Sequence, residues 1–227
     1  MGKKVIIMMF VLAIVFSVMA PDVQAIPTLT LYDVGSGSEI SITDGQADFD
    51  LNPVAGAITW IGSLGVWTFN VSTGITMPFI GSPVAPVLDL HSIDFSSGAG
   101  TLWIWFSETG FGPVNGYLTS SAGGTTPGAV SFSTFLDSAS ISDLGVWFGP
   151  AFSGSESVPV SFPENSTLRL FASIQHDGSG TTSFNSTTET AAVPEPGTLF
   201  LVGFGLTGLA LYGRCRRKQS KRSSLKS

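Results

Sequence analysis

Between Ile26 and Val193 the apolar residues recur at every second position, or in runs too short for a helix. In LRLFASI, Leu168, Leu170, Ala172 and Ile174 fall on one side of an extended chain, and Arg169 and Ser173 on the other, with Phe171 the apolar exception. Successive strand side chains point to opposite faces, so this pattern buries one face and leaves the other mostly wet. Comparable runs are TLTLY from Thr28, AITWI from Ala57, VWTFNV from Val66, Val87–Phe95, LWIWF from Leu102, AVSFSTF from Ala129 and LGVWF from Leu144. They are rich in Val, Ile, Thr, Phe and Trp and are separated by Gly, Ser, Asp, Asn or Pro clusters. No window here sustains helical apolar spacing over a dozen residues. Eight or more short strands with turn chemistry between them predict an all-β fold, an antiparallel β-sandwich of jelly-roll-like or immunoglobulin-like type.

This span is long enough for one well-buried domain and short for two. It contains no Cys, so no disulfide framework supports it and stability must come from burial. It carries fourteen carboxylates and one basic residue, Arg169, which puts it near −13, whereas the whole 227-residue chain is −6. Such a surface repels nucleic acid and anionic lipid, and no nucleic-acid partner is expected. It suits solubility, or divalent-cation bridging to an acidic polysaccharide. Residues 26–185 are read as the sandwich domain. A last hairpin is expected around Asp177-Gly178, and the polar residues 186–192 look like a stalk. The string LGVW occurs at Leu64–Trp67 and again at Leu144–Trp147, which is weak support for a duplication.

The two ends differ from this centre. Lys3 and Lys4 precede an apolar run from Val5 to Ala20, Pro21 stops it, and Val23 and Ala25 supply the −3 and −1 positions of a cleavage site. Residues 1–25 therefore read as a secretory signal peptide, handled by the export machinery. At the other end Pro194-Glu195-Pro196 precedes a fifteen-residue apolar run, Thr198–Tyr212, containing Gly203, Gly205 and Gly208. A helix of that length covers roughly 22 Å against a hydrocarbon core of about 30 Å. Behind it stand Arg214, Arg216, Arg217, Lys218, Lys221, Arg222 and Lys226, which hold the tail in the cytoplasm. A lipid-anchor signal of the GPI type ends in its hydrophobic stretch, which this tail does not. A sortase pentapeptide of LPxTG type is absent.

The order of Val193-Pro194-Glu195-Pro196-Gly197, short Gly-rich apolar helix and basic tail led by Arg214, Arg216 and Arg217 resembles the PEP-CTERM sorting signal of Gram-negative bacteria, over residues 193–222. The resemblance implies recognition by an exosortase-type membrane protease, transient insertion in the inner membrane, and release to the cell surface or extracellular matrix. The prolines fit that role, because they keep the backbone around Glu195 extended and open to a protease. The lone Cys215 falls in the cytoplasmic tail, away from the exported domain.

Chemistry-bearing patterns in the centre are few. Asp44, Asp48 and Asp50, in TDGQADFDLNP, are hard oxygen ligands that could hold Ca²⁺, although their spacing fits no EF-hand or RTX template and a solvated turn explains them equally. Trp103 and Trp105 point to one face of a strand, about 6.7 Å apart, where indoles can stack on sugar rings. Leu102, Ile104 and Phe106 fill the opposite face, so LWIWF is expected to be a central strand buried on both sides. His91 and His176 are expected at the surface, since neither a zinc spacing nor a GxSxG elbow accompanies them. The chain is accordingly not expected to be an enzyme. The resemblance implies a structural or adhesive role beside exopolysaccharide or in biofilm. A carbohydrate-binding or Ca²⁺-dependent binding module is the alternative. Ice binding is a further one, because some ice-binding proteins carry the same tail, though only Thr28-Leu29-Thr30 hints at a Thr array.

Overall fold

The computed structural model describes residues 26–192 and the single position Leu206. The signal peptide (1–25), the PEP motif at 193–197, the apolar run 198–212 and the basic tail lie outside the described residues. Twelve strands form the domain: β1 (Thr28–Asp33), β2 (Ser38–Thr43), β3 (Ala57–Leu64), β4 (Trp67–Ile75), β5 (Val87–Ser96), β6 (Gly100–Phe111), β7 (Val114–Thr125), β8 (Ala129–Leu136), β9 (Ala139–Phe148), β10 (Ala151–Phe162), β11 (Ser166–His176) and β12 (Gly180–Ala192). They build two antiparallel six-stranded sheets, ordered β2-β1-β6-β11-β8-β9 and β10-β7-β12-β5-β4-β3. The fold is an antiparallel β-sandwich, as the alternation predicted.

The alternating faces meet where expected. Leu29, Leu31, Leu102, Ile104, Phe106, Phe132, Leu168, Leu170, Ala172 and Ile174 of the first sheet pack on Ile58, Trp67, Phe69, Leu88, Leu90, Leu118, Phe162 and Phe184 of the second. Full burial of each such side chain contributes about 1.5–3 kcal/mol before conformational entropy is subtracted. Gly74 of β4 leaves room for the Phe106 ring, since a Cβ there would come within 2.4 Å of it.

Several expectations are corrected. Residues 186–192 are not a stalk, because they form the second half of β12, hydrogen-bonded between β5 and β7. Their Ser and Thr residues look polar in sequence, but Ser186 and Thr188 turn inward and satisfy their hydroxyls there. Asp177-Gly178 makes no hairpin, since β11 belongs to the first sheet and β12 to the second. The strands β2, β7 and β10 were not distinguished, being rich in Ser and Gly or broken by Pro159, which sits on the edge strand β10 as Pro must. The two LGVW copies occupy unlike places. Gly65 (φ 57°) lies in the β3–β4 hairpin, whereas Gly145 (φ 81°) lies within β9, where the register to β8 shifts.

His176 is a further correction, because it is buried. Ser96 Oγ donates to the Gly178 carbonyl (3.1 Å), so it accepts from the Nδ1–H of His176 (2.6 Å). Nε2 then accepts from the Thr182 hydroxyl (2.7 Å), which in turn lies 2.7 Å from the Thr126 hydroxyl. These directions assign the neutral ring protonated on Nδ1. The imidazole also lies 5.0 Å from the Trp67 indole, centroid to centroid. Burial lowers its pKa, against the opposing pull of the Asp177 charge. A second hydroxyl cluster, Ser120, Thr134 and Thr188, ties the two sheets together at 2.9–3.3 Å.

Two inward carboxylates give the core its pH sensitivity. Asp94 accepts a 2.6 Å bond from Ser92, yet its Oδ2 has no partner, and burial pushes its pKa up to about 7. Glu108, buried on β6 with Oε2 unpartnered, is pushed to about 8, mainly by burial and slightly by the charge of Asp44. Both pKa values lie above those of the unfolded chain, so the folded state holds more protons between about pH 4 and pH 8. Stability is therefore greatest at the acid end of that window and is lost as pH rises through 7 to 8. His176 acts in the opposite sense below about pH 6.5, where the unfolded ring takes up a proton that the folded one resists. Asp94→Asn should flatten the fall, leaving stability at about pH 3.5 nearly unchanged and raising it at pH 8 by up to about 4 kcal/mol. Urea unfolding of both proteins across that range checks this, and parallel curves would refute it. Gly74→Ala should cost about 1–3 kcal/mol in the same assay, because the added methyl overpacks the Phe106 ring.

Candidate functional site

The outer face of the first sheet carries a band of aromatic rings. Strand β6 is central, paired with β1 on one side and β11 on the other, and β11 pairs on with β8. The registers place Tyr32 opposite Trp103, Thr30 opposite Trp105 and Thr28 opposite Ser107. On the other flank Phe171 lies opposite Trp105, Ser173 opposite Trp103 and Arg169 opposite Ser107. Phe135 of β8 then lies opposite Arg169. Because these positions alternate with Leu102, Ile104, Phe106, Leu168 and Leu170, all of them face away from the core.

The rings touch in a chain. Centroid distances are 5.6 Å for Tyr32–Trp103, 6.3 Å for Trp103–Phe171, 4.1 Å for Trp105–Phe171 and 5.7 Å for Trp105–Phe135. Across four strands at the usual interstrand spacing the band is about 14 Å long. Cross-strand aromatic pairs of this kind each contribute about 0.5–1.5 kcal/mol beyond area burial, so the band holds its own shape. Trp103 remains 37 % exposed, and Trp105 is half-buried between Phe171 and Phe135. The expectation that this pair belongs to the core is thus corrected. The central strand is buried on one face only, and the indoles lie on the other.

Around the rings stand hydroxyls, with Thr30 and Ser41 3.0 Å apart on the β1–β2 side. A shallow cleft of about 300 Å³ opens beside Trp105, lined also by Thr30, Ser107 and Arg169. The outward positions of β1, β6, β8 and β11 carry no carboxylate, and the acids of this sheet's outer face, such as Glu39 and Asp143, lie on the edge strands β2 and β9. The strands that carry the rings thus present no outward carboxylate in a strongly acidic domain. Tyr32, Phe135 and Phe171 went unrecognised in the sequence, since each lies on a different strand and only the pairing brings them to Trp103 and Trp105.

The other sequence candidates lie elsewhere. Asp44 accepts from the Gly56 amide at 2.7 Å, and Asp50 accepts from the amides of Gly45, Asn52 and Thr59 at 2.9–3.0 Å. Asp48 is exposed, with φ 73°. These carboxylates brace the β2–β3 connection, and among the described residues no group of three or more His, Cys, Asp or Glu side chains is placed to hold a metal ion. His91 is half-buried on the outer face of the second sheet. A second cleft of about 400 Å³ lies at one end of the sandwich, between the Thr126–Ala129 and Phe148–Pro150 segments, with Gln175 and Asp177. No catalytic side-chain set accompanies it among its lining residues.

Comparison with known proteins adds the following. The structure is similar to a family 35 carbohydrate-binding module from Clostridium thermocellum (9% identity, TM-score 0.29, covering 59% of this chain and 98% of that one). It is also similar to the C-terminal CBM6 of LamC from Zobellia galactanivorans (18% identity, TM-score 0.27, 60% and 99%). A third similarity is to a beta-glucosidase from Kluyveromyces marxianus solved with glucose (11% identity, TM-score 0.31, 74% and 17%). No curated protein matches the sequence. The PEP-CTERM protein-sorting motif family matches residues 192–218, where the order of PEP tripeptide, apolar run and basic cluster stands. That motif implies export, passage through the membrane and processing by exosortase, so the chain is one that carries a PEP-CTERM protein-sorting motif behind an all-β domain.

Proposed function

We propose that the exported domain is a non-enzymatic glycan-binding module, which the PEP-CTERM signal delivers to the cell surface or extracellular matrix, where it holds extracellular polysaccharide. The observation that carries this reading is the aromatic band from Tyr32 to Phe135 on an outward sheet face. Sugar rings present apolar C–H faces and polar edges. A preformed row of rings offers the first a surface at little entropic cost, and flanking Ser and Thr hydroxyls offer the second hydrogen bonds. An adhesive or structural role in the matrix follows from delivery and binding together. The export route supports it too, since a matrix component must leave the cell whole and remain there.

Two measurements test the reading. Trp103→Ala and Trp105→Ala should each weaken binding to polygalacturonate or hydroxyethylcellulose by at least about tenfold, the size expected when an anchoring aromatic is truncated. Affinity electrophoresis reads this directly, and two variants migrating like the wild type would refute glycan binding at this face. Mass spectrometry of the protein harvested from the surface of its own host should find an N-terminus at Ile26 and a C-terminus near Pro194–Pro196. An intact basic tail on surface protein would refute release by processing.

A further inference from the structure

We propose that the polymer held on this face is anionic, with Arg169 receiving the carboxylate of a uronate-type sugar whose ring lies against Trp105. This rests on the glycan-binding reading above and names its ligand class. Arg169 is the only basic residue between Ile26 and Val193, against fourteen carboxylates in the same span. A lone cation kept for stability would be expected to pair with one of them. Arg169 is instead exposed, and among the described residues it makes no ion pair. Its ladder neighbours are Ser107 and Phe135, and it opens with Trp105 and Thr30 onto the cleft beside the aromatic band. The four strands carrying the band present no outward carboxylate, and the nearest acids, Glu39 opposite Tyr32, Asp143 beside Ser133 and Asp137 at the Thr167 amide, stand on the edge strands or in the β8–β9 turn and form no ion pair with the guanidinium among the described residues.

The chemistry fits a carboxylate better than a neutral hydroxyl. The guanidinium is planar and presents paired N–H donors that match two carboxylate oxygens. Trp105 supplies an apolar surface for the adjoining ring, and the hydroxyls of Thr30 and Ser107 lie beside the cleft for sugar hydroxyls. At physiological salt the repulsion from carboxylates more than about 8 Å from the contact is largely screened. Contact at Arg169 lies inside that range, while Glu39 and Asp143 stand on the sheet's edges.

The test uses full-length protein in detergent micelles at physiological salt, with EDTA present, run in gels containing polygalacturonate or the same polymer after carboxyl reduction. Wild type should bind the acidic polymer about tenfold more tightly than the reduced one, as a charge-assisted hydrogen bond allows. Arg169→Gln should bring that ratio to about one by weakening binding to the acidic polymer, and Arg169→Lys should keep part of the preference. Its thermal midpoint should stay at the wild-type value, because Arg169 is exposed and unpaired. A ratio unaltered by Arg169→Gln overturns the inference. So does a wild-type ratio of one, or a preference that appears only when EDTA is replaced by calcium. If that happens while Trp105→Ala still weakens binding to both polymers, the glycan reading stands and only the ligand class falls. If neither polymer binds, or Trp105→Ala changes self-association alone, both readings fall.

Discussion

The division of β6 between two environments is the constraint on which the rest of the structure depends. Leu102, Ile104 and Phe106 are fully buried, so the strand's register relative to the core cannot slip. A slip of one residue would move three large side chains into water and two indoles into the interior, at a cost of several kcal/mol. With β6 pinned in this way, its antiparallel partners β1 and β11 are pinned as well, and so is the position of every outward residue on them. The aromatic band is therefore a by-product of core packing as much as a surface feature. It is held from behind by Leu29, Leu170 and Phe106 and from the side by its own ring contacts.

The interior is less uniformly apolar than a sandwich of this size requires. Asp94, Glu108, His176 and a set of Ser and Thr hydroxyls lie between the sheets. Most are satisfied by one another, which keeps the cost low, because a hydrogen-bonded buried hydroxyl loses little relative to water. The unpartnered oxygens of Asp94, Glu108 and Thr190 are the exceptions. Protonation of the two carboxylates removes most of their cost, which is why the acid side of neutrality favours the fold. A protein that works outside the cell meets larger pH changes than one inside, and this core responds to them by gaining stability on mild acidification, until the buried imidazole begins to oppose it.

Charge is segregated with the same economy. A domain near −13 would ordinarily present carboxylates on every face. Here the outward positions of the central strands of one sheet are free of them, and the single cation stands among the rings. Mutual repulsion among the remaining acids opposes self-association, while the cleared face keeps an exposed apolar surface. The sorting motif at 192–218 begins where β12 ends, so sorting and the folded domain are separate parts of the chain.

Local sequence was enough to determine the β class, the inward face of Leu168–Ile174 and the C-terminal sorting motif, since each is written in a few consecutive residues. Strands without strong apolar content were hidden for the same reason. β7 and β12 are stabilised by neighbours distant in the chain rather than by their own hydrophobicity, so residues 186–192 looked like a stalk. His176 looked like a surface residue because its partners Ser96 and Thr182 are contributed by other strands. Trp103 and Trp105 were visible as a pair, but whether they faced the core or the solvent depended on which side the second sheet covers. Only the tertiary pairing of β1, β6, β11 and β8 decided that, and with it brought Tyr32, Phe171, Phe135 and Arg169 to one surface, because strand neighbours are chosen by long-range packing that no local stretch encodes.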